Sequence, residues 1–166
     1  MSKKNQTTIT AEPGKQEILI LREFEAPREL VFRVYHDPKQ LHRWVGCSIF
    51  TTTIEKYEVK NGGSWRYVHK DPSGNQHGFH GWFHEVVAPE RTIHTYEYEA
   101  LPEKGHVLLI TNRFTQLPGD RTLLTIQYLF QSVADRDGML QAGAAGVFHE
   151  AHEVLDTILE EMAKPV

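Results

Sequence analysis

A chain of 166 residues, 40% of them hydrophobic, is long enough to bury one core and short for two. Its net charge of -4 supplies no basic field for gripping phosphates, which excludes nucleic acid and an anionic membrane surface as expected partners. No apolar run approaches the roughly 20 residues needed to cross a bilayer, and "MSKKNQTTITAEPGK" has no apolar middle region of the secretory type, so a cytoplasmic location is expected. Cys47 is the one cysteine; it permits no intramolecular disulfide, fits a reducing compartment, and reads as a small packed thiol because no local His is placed to activate it.

Along the chain, residues 1–14 are polar and are expected to form a flexible segment, and 15–164 a single domain. "QEILILREFEA" (Gln16 to Ala26) is rich in strand formers. Pro27 suits the first position of a helix, and Leu30, Val31, Val34 and Tyr35 then mark one helical face. A second short helix is expected from Pro38 through Leu41 to Trp44, ending near Gly46.

From there to about Gln131, turn signals recur at "KNGG", "DPSGN", "APE", "LPEKG" and "LPGD". Between them lie runs of strand formers, which predicts about six antiparallel strands. Asp135 to Lys164 carries Leu140, Gly143, Ala144, Val147, Ala151, Val154, Leu155, Ile158 and Met162 at helical spacing and predicts one long amphipathic helix. A curved antiparallel sheet must cover its apolar face, and this helix is the element large enough to do so, giving an α+β fold.

The stretches "REFEAPRELVFRVYHDPKQLHRWVG", "EVKNGGSWRYVHKDPSGNQHGFHGWFHEVVAPERTIHTYEYE" and "MLQAGAAGVFHEAHEVLDTILEEM" resemble the bacterial homologues of the activator of heat-shock-protein ATPase, the AHSA-type branch of the START-like (SRPBCC) superfamily. The matching positions include Ala26-Pro27, Asp37-Pro38, Trp44, Gly62-Gly63, Asp71-Pro72, Gly81, Glu85 and Pro89-Glu90; His80 and His84 are additions of this chain. The resemblance implies a helix-grip fold, a sheet wrapped around the C-terminal helix with a cavity between them. Its members include carriers, resistance proteins, cyclases and stress proteins, so the fold carries over better than the activity does.

"HGFHGWFHE" (His77 to Glu85) holds three histidines in nine residues, and strand alternation splits them. His77, Phe79, Gly81, Phe83 and Glu85 fall on one side, with the two phenylalanines toward the core; His80, Trp82 and His84 fall on the outer side. His80 and His84 stand roughly 13 Å apart on a strand, too far to chelate one ion, and no metal or other cofactor is expected. On the long helix, His149 points away from the apolar stripe centred on Val147, Ala151 and Ile158, and His152 lies on its flank.

The inner face carries the functional expectation. Alternation groups Trp65, Tyr67 and His69, and likewise His94 and Tyr96 with Tyr98. The resemblance implies that both sets face the helix, where the small residues Gly143, Ala144, Val147 and Ala151 either leave space or let helix and sheet close directly on one another. With the space open, the expected ligand-binding set is Trp44, Trp65, Tyr67, His69, Phe79, Phe83, Glu85, His94, Tyr96, Phe114, Leu140, Gly143, Ala144, Val147, Phe148 and Ala151. It suits a small, mostly apolar, aromatic or lipid-like molecule.

A cyclase- or hydrolase-type enzyme using His69 or His94 as base with Glu85 is the alternative, though no complete catalytic motif accompanies these residues. A third reading, a cofactor that stimulates a chaperone ATPase by binding its surface, rests on the resemblance alone. A monomer or a homodimer fits the sequence equally.

Overall fold

The alternation of "EILILREF" decides which way the sheet faces: Ile18, Ile20, Arg22 and Phe24 are buried while their neighbours are half-buried. In the computed structural model, which describes residues 5–163, this strand, β2 (Glu17–Phe24), belongs to an eight-stranded antiparallel sheet. The others are β1 (Thr8–Thr10), β3 (Thr51–Tyr57), β4 (Ser64–Lys70), β5 (Gln76–Val87), β6 (Arg91–Tyr98), β7 (Leu108–Leu117) and β8 (Arg121–Leu129). Their order is β1-β2-β8-β7-β6-β5-β4-β3, so six of them form a meander and β2 closes onto its last strand.

Helices α1 (Arg28–Tyr35) and α2 (Pro38–Trp44) follow β2, and α3 (Val133–Gln141) and α4 (Ala144–Ala163) end the described chain. Asp37 caps α2 by accepting from the Lys39 N–H at 2.9 Å, and Ser132 caps α3 by accepting from the Asp135 N–H at 3.0 Å. The α+β helix-grip architecture expected from the sequence is the one observed, with α4 lying on the concave side. Its buried stripe is Ala151, His152, Leu155, Ile158 and Leu159.

Four expectations need correction. The segment expected to be flexible contains a strand: Thr8–Thr10 pairs with Leu19–Leu21, and Thr7 is buried beside it. Pro27 stands at the N-cap in extended conformation, one position before the helix rather than inside it.

The single C-terminal helix is two, because Gly143 adopts φ +93° and its N–H turns back to the Leu140 carbonyl, ending α3 before α4 begins. The expected end at Lys164 lies outside the described residues. His152, placed on the flank by helical geometry, is 2% exposed. An N-terminal segment closing over it could not be read from the helix alone.

One irregularity shapes the sheet face. The β5–β6 register runs Phe83 with His94 and then Glu85 with Ile93, so the strand carries a bulge between them. Everything beyond it reverses face: Val86 now pairs with the fully buried Thr92, and Glu85 turns outward.

Candidate functional site

Directly opposed residues of antiparallel strands share a face, so the pairing register builds the inner wall residue by residue. Tyr57 of β3 pairs with Trp65 of β4; Tyr67 pairs with Phe79 of β5, and Phe79 with Tyr98 of β6. His94 pairs with both Phe83 and Ile110, and Ile110 with Tyr128, which meets Ile18 of β2. The rings touch along this path: Trp65 to Tyr67 at 5.0 Å, Phe79 to Tyr96 at 5.3 Å, Phe79 to Tyr98 at 4.9 Å and Phe83 to His94 at 5.4 Å between centroids.

Burial changes along the wall. Toward α1 the inner face is closed: Phe24, Leu124, Phe114, Thr92 and Asn112 are all within 2% of complete burial. Here a hydrogen-bonded chain joins His36, Thr92, Asn112 and Tyr35. His36 donates to the Phe32 carbonyl at 2.8 Å and accepts from Thr92 Oγ1 at 3.2 Å; Asn112 donates to the same Thr92 oxygen and accepts from Tyr35. Burial holds the His36 pKa down to about 4, so it stays neutral within this chain. Toward the β4–β5 hairpin, the inward rings Phe79, Tyr96, Tyr98 and Tyr128 are only half-buried, as is Phe148 of α4, which meets Tyr128 edge-on at 5.2 Å.

The polar tips along the wall are phenols and histidines. Burial first, then the neighbouring tyrosines, drives the hydroxyl pKa values of Tyr35, Tyr67 and Tyr96 upward, and burial does the same for Tyr57 and Tyr128. Five phenols from five elements thus remain neutral near one another. His94 is held neutral by burial and by His36 and His84, with its pKa down to about 3, and its buried Nδ1 has no hydrogen-bond partner among the described residues. His69 hydrogen-bonds Thr52 Oγ1 through Nδ1 at 2.8 Å and stacks on Phe50 at 5.0 Å; burial, then His77, lower its pKa to about 4.

Of the residues singled out in the sequence, Trp65, Tyr67, His69, Phe79, His94 and Tyr96 come together on this wall. Ala144, Val147 and Phe148 of α4 and Leu140 of α3 are half-buried, and Ala151 is buried on α4's inner stripe. Phe83, Phe114 and Trp44 sit deeper: the first two are core, and Trp44 packs on Tyr35 at 4.8 Å.

Two members do not belong with them. Gly143 is exposed at the α3–α4 break, where an added Cβ would meet nothing within 4 Å, so it opens no space against the sheet. Glu85 is carried outward by the bulge and pairs with Arg91 at 2.9 Å, so it partners neither His69 nor His94 and the suggested His–carboxylate pair is not formed.

Sequence reasoning overlooked Tyr57 and Tyr128, whose signal was alternation with Trp65 through the hairpin and with Ile126 along β8. Alternation puts His77 on the inner side, where it meets the Tyr98 hydroxyl at 2.7 Å. On the outer face His80 lies between Glu97 and Glu99, at 3.3 and 2.8 Å, and Trp82 is 52% exposed. A separate dip of about 110 Å³, lined by Thr10, Glu12, Lys15, Glu17 and Leu19, lies at the β1–β2 edge, away from the wall. Among the described residues no group of three or more His, Cys, Asp or Glu is arranged to hold a metal, and no helix is long and apolar enough to cross a membrane.

A sheet folded over a C-terminal helix, with an aromatic inner wall, can be compared with known proteins. The sequence profile described as "Activator of Hsp90 ATPase homolog 1-like protein" matches residues 25–160. The chain belongs to this family. Solved structures similar to this family member include a protein from Arthrobacter aurescens, 27% identical with a TM-score of 0.83, the match covering 95% of this chain and 93% of that one. A Rhodobacter sphaeroides protein is 25% identical, also at TM-score 0.83, with 94% and 99% covered. A Mycobacterium smegmatis protein at 20% identity and TM-score 0.81, covering 92% and 95%, shares the fold. No curated protein matches the chain.

Proposed function

We propose that this family member binds a small, mostly apolar, aromatic or lipid-like molecule between the inner wall of the sheet and helices α3 and α4. The observation that carries this reading is the half-burial of Phe79, Tyr96, Tyr128 and Phe148. They point inward from the sheet or pack against it from α4, where a filled core would bury them as it buries Phe83 and Phe114. Rings supply apolar contact, while neutral phenols and the unpartnered His94 Nδ1 supply a few orienting hydrogen bonds.

The test is titration of the protein with an anilinonaphthalene dye, alongside native mass spectrometry of the purified protein. Phe148→Ala and Tyr96→Ala are expected to weaken dye binding about 10-fold, the loss of roughly one buried ring contact. Trp82→Ala should leave it unchanged. If Trp82→Ala abolishes binding and Phe148→Ala does not, the ligand site is not on the wall.

A second reading concerns the outer face. Thr95 accepts from the Trp82 N–H and pairs with Leu109, which pairs with Leu129, and these three large apolar side chains are 52%, 37% and 42% exposed. Such a row suits a protein surface, which is what the name of the family suggests for a chaperone ATPase. ATPase stimulation lost in Trp82→Ala but kept in Phe148→Ala would favour it.

A further inference from the structure

Beyond the wall itself, the hairpin at its open end carries a chain of three side chains that the binding reading does not use. Asp71 Oδ2 lies 3.0 Å from His77 Nε2, and His77 Nδ1 lies 2.7 Å from the Tyr98 hydroxyl. Asp71 is fixed by its turn, where Oδ1 accepts from the Ser73 and Asn75 N–H groups, and His77 is wedged edge-on against Phe50 at 6.0 Å. Tyr98 stacks on Phe79 at 4.9 Å and so forms the last ring of the wall.

The proton positions follow from this order. The hydrogen bond from His77 holds the Asp71 carboxyl below its usual range, so it is ionised and can only accept. His77 therefore keeps its proton on Nε2, and Nδ1 is left as an acceptor. Tyr98 must donate its O–H to that nitrogen, which leaves the phenol oxygen with its lone pairs directed away from His77. Tyr96 stands two residues back on β6, on the same face and roughly 7 Å away, with its hydroxyl kept protonated by burial. One ring wall thus presents a base and a hydrogen-bond donor at the spacing of a small flat molecule.

We propose that Asp71, His77 and Tyr98 form a proton relay that makes the Tyr98 oxygen a general base toward a flat aryl or conjugated ketone lying on the wall, with Tyr96 donating to the ketone oxygen. The proposal rests on the binding reading above. As the substrate's α C–H bond breaks, its proton passes to the Tyr98 oxygen and the Tyr98 proton passes to His77 Nδ1. The electron pair of the C–H bond becomes the enolate, whose oxygen accepts from Tyr96. The imidazolium is held by the Asp71 carboxylate, and return of the proton regenerates the starting state. Tyr98 is the catalytic residue; His77 and Asp71 position its proton.

The experiment follows exchange of the α-hydrogens of β-tetralone for deuterium in D2O by proton NMR, with binding read separately from quenching of Trp fluorescence. The expected result is exchange about 100-fold above buffer. It should be lost in Tyr98→Phe, which keeps the ring, and reduced at least about 10-fold in Asp71→Asn, which keeps the turn acceptor. His77→Gln should lower exchange at least about 10-fold while leaving the quenching midpoint unchanged, a split between rate and binding that a purely structural His77 would not give. His84→Ala, on the outer face, should exchange as the wild type does.

Quenching without exchange, or full exchange in folded Tyr98→Phe, overturns the relay and leaves the binding reading standing. Absence of quenching overturns both. As a second measure, an aryl sulfonyl fluoride should label Tyr98 faster than the other tyrosines on peptide mapping: the phenol oxygen bonds to sulfur, fluoride leaves, and the proton goes to His77. Equal labelling of Tyr98 in wild type and His77→Gln overturns the relay.

Discussion

Thr7 and His152 meet through a 2.7 Å hydrogen bond between Thr7 Oγ1 and His152 Nδ1, joining the start of the described chain to the middle of α4. Arg22 donates to the same Thr7 oxygen at 3.3 Å and pairs with Asp156 one turn further along the helix. The threonine hydroxyl accepts from arginine and donates to histidine, so a single side chain links β2, α4 and the N-terminal segment. Removing the hydroxyl leaves two buried polar groups without it. Thr7→Val is expected to lower stability by about 1–3 kcal/mol and Thr7→Ser by much less, as read from urea midpoints.

That link also sets a pH dependence. Burial, then Arg22 and His149, lower the His152 pKa to about 3, and burial first brings His36 and His69 to about 4. These histidines are neutral when folded and protonate near pH 6.5 when unfolded, so the unfolded chain binds more protons as the pH falls. Stability is greatest above pH 6.5 and is lost progressively as the pH falls from 6.5 toward about 4 for His36 and His69 and about 3 for His152. At pH 5 each of them costs about 2 kcal/mol. Thermal unfolding at pH 7 and pH 5 checks this, and His152→Gln should flatten the slope; an unchanged midpoint across that range would refute it.

These features show how far the sequence could be read. Strand alternation and turn residues were enough to order the elements and to bring Trp65, Tyr67 and His69 onto one face, because a period of two leaves little choice once one residue is assigned. Alternation assumes an uninterrupted strand, and the bulge after Phe83 broke it, so Glu85 was assigned to the wrong side. Helical spacing cannot report a backbone break at a glycine. It cannot report what another segment lays over a flank either, which is why Gly143 and His152 were both misread. His77 was correctly turned inward, but its partners Asp71 and Tyr98 come from a turn and a neighbouring strand, and only the register joins them.

Two glycines separate close approach from backbone conformation. A Cβ on Gly81 would lie 1.9 Å from the Thr95 carbonyl oxygen, which also accepts from the Trp65 indole at 3.2 Å. Backbone cannot yield there without parting β5 from β6, so Gly81→Ala should unfold the protein or cost more than about 4 kcal/mol. Gly143→Ala meets no atom and bears only the strain of a left-handed residue, about 1–2 kcal/mol. Equal losses in the two variants, measured by denaturant titration, would contradict this assignment.

Cys47 tests the packing of the α2–β3 loop on α4. Its thiol lies 3.3 Å from the Val147 carbonyl and 3.6 Å from that of Trp44, while the Ser48 N–H donates to Glu150. Burial, reinforced by Glu150, raises the thiol pKa from 9.0 to about 11. Only the thiolate attacks an alkylating agent, so at neutral pH the reactive fraction falls by roughly 100-fold relative to an unshifted thiol. Iodoacetamide should therefore modify Cys47 roughly 100-fold more slowly than free cysteine, with the rate still climbing above pH 9. Glu150→Gln removes the neighbouring charge and one anchor of the loop, and should raise the rate. Alkylation as fast as that of free cysteine would mean that the loop does not rest on α4.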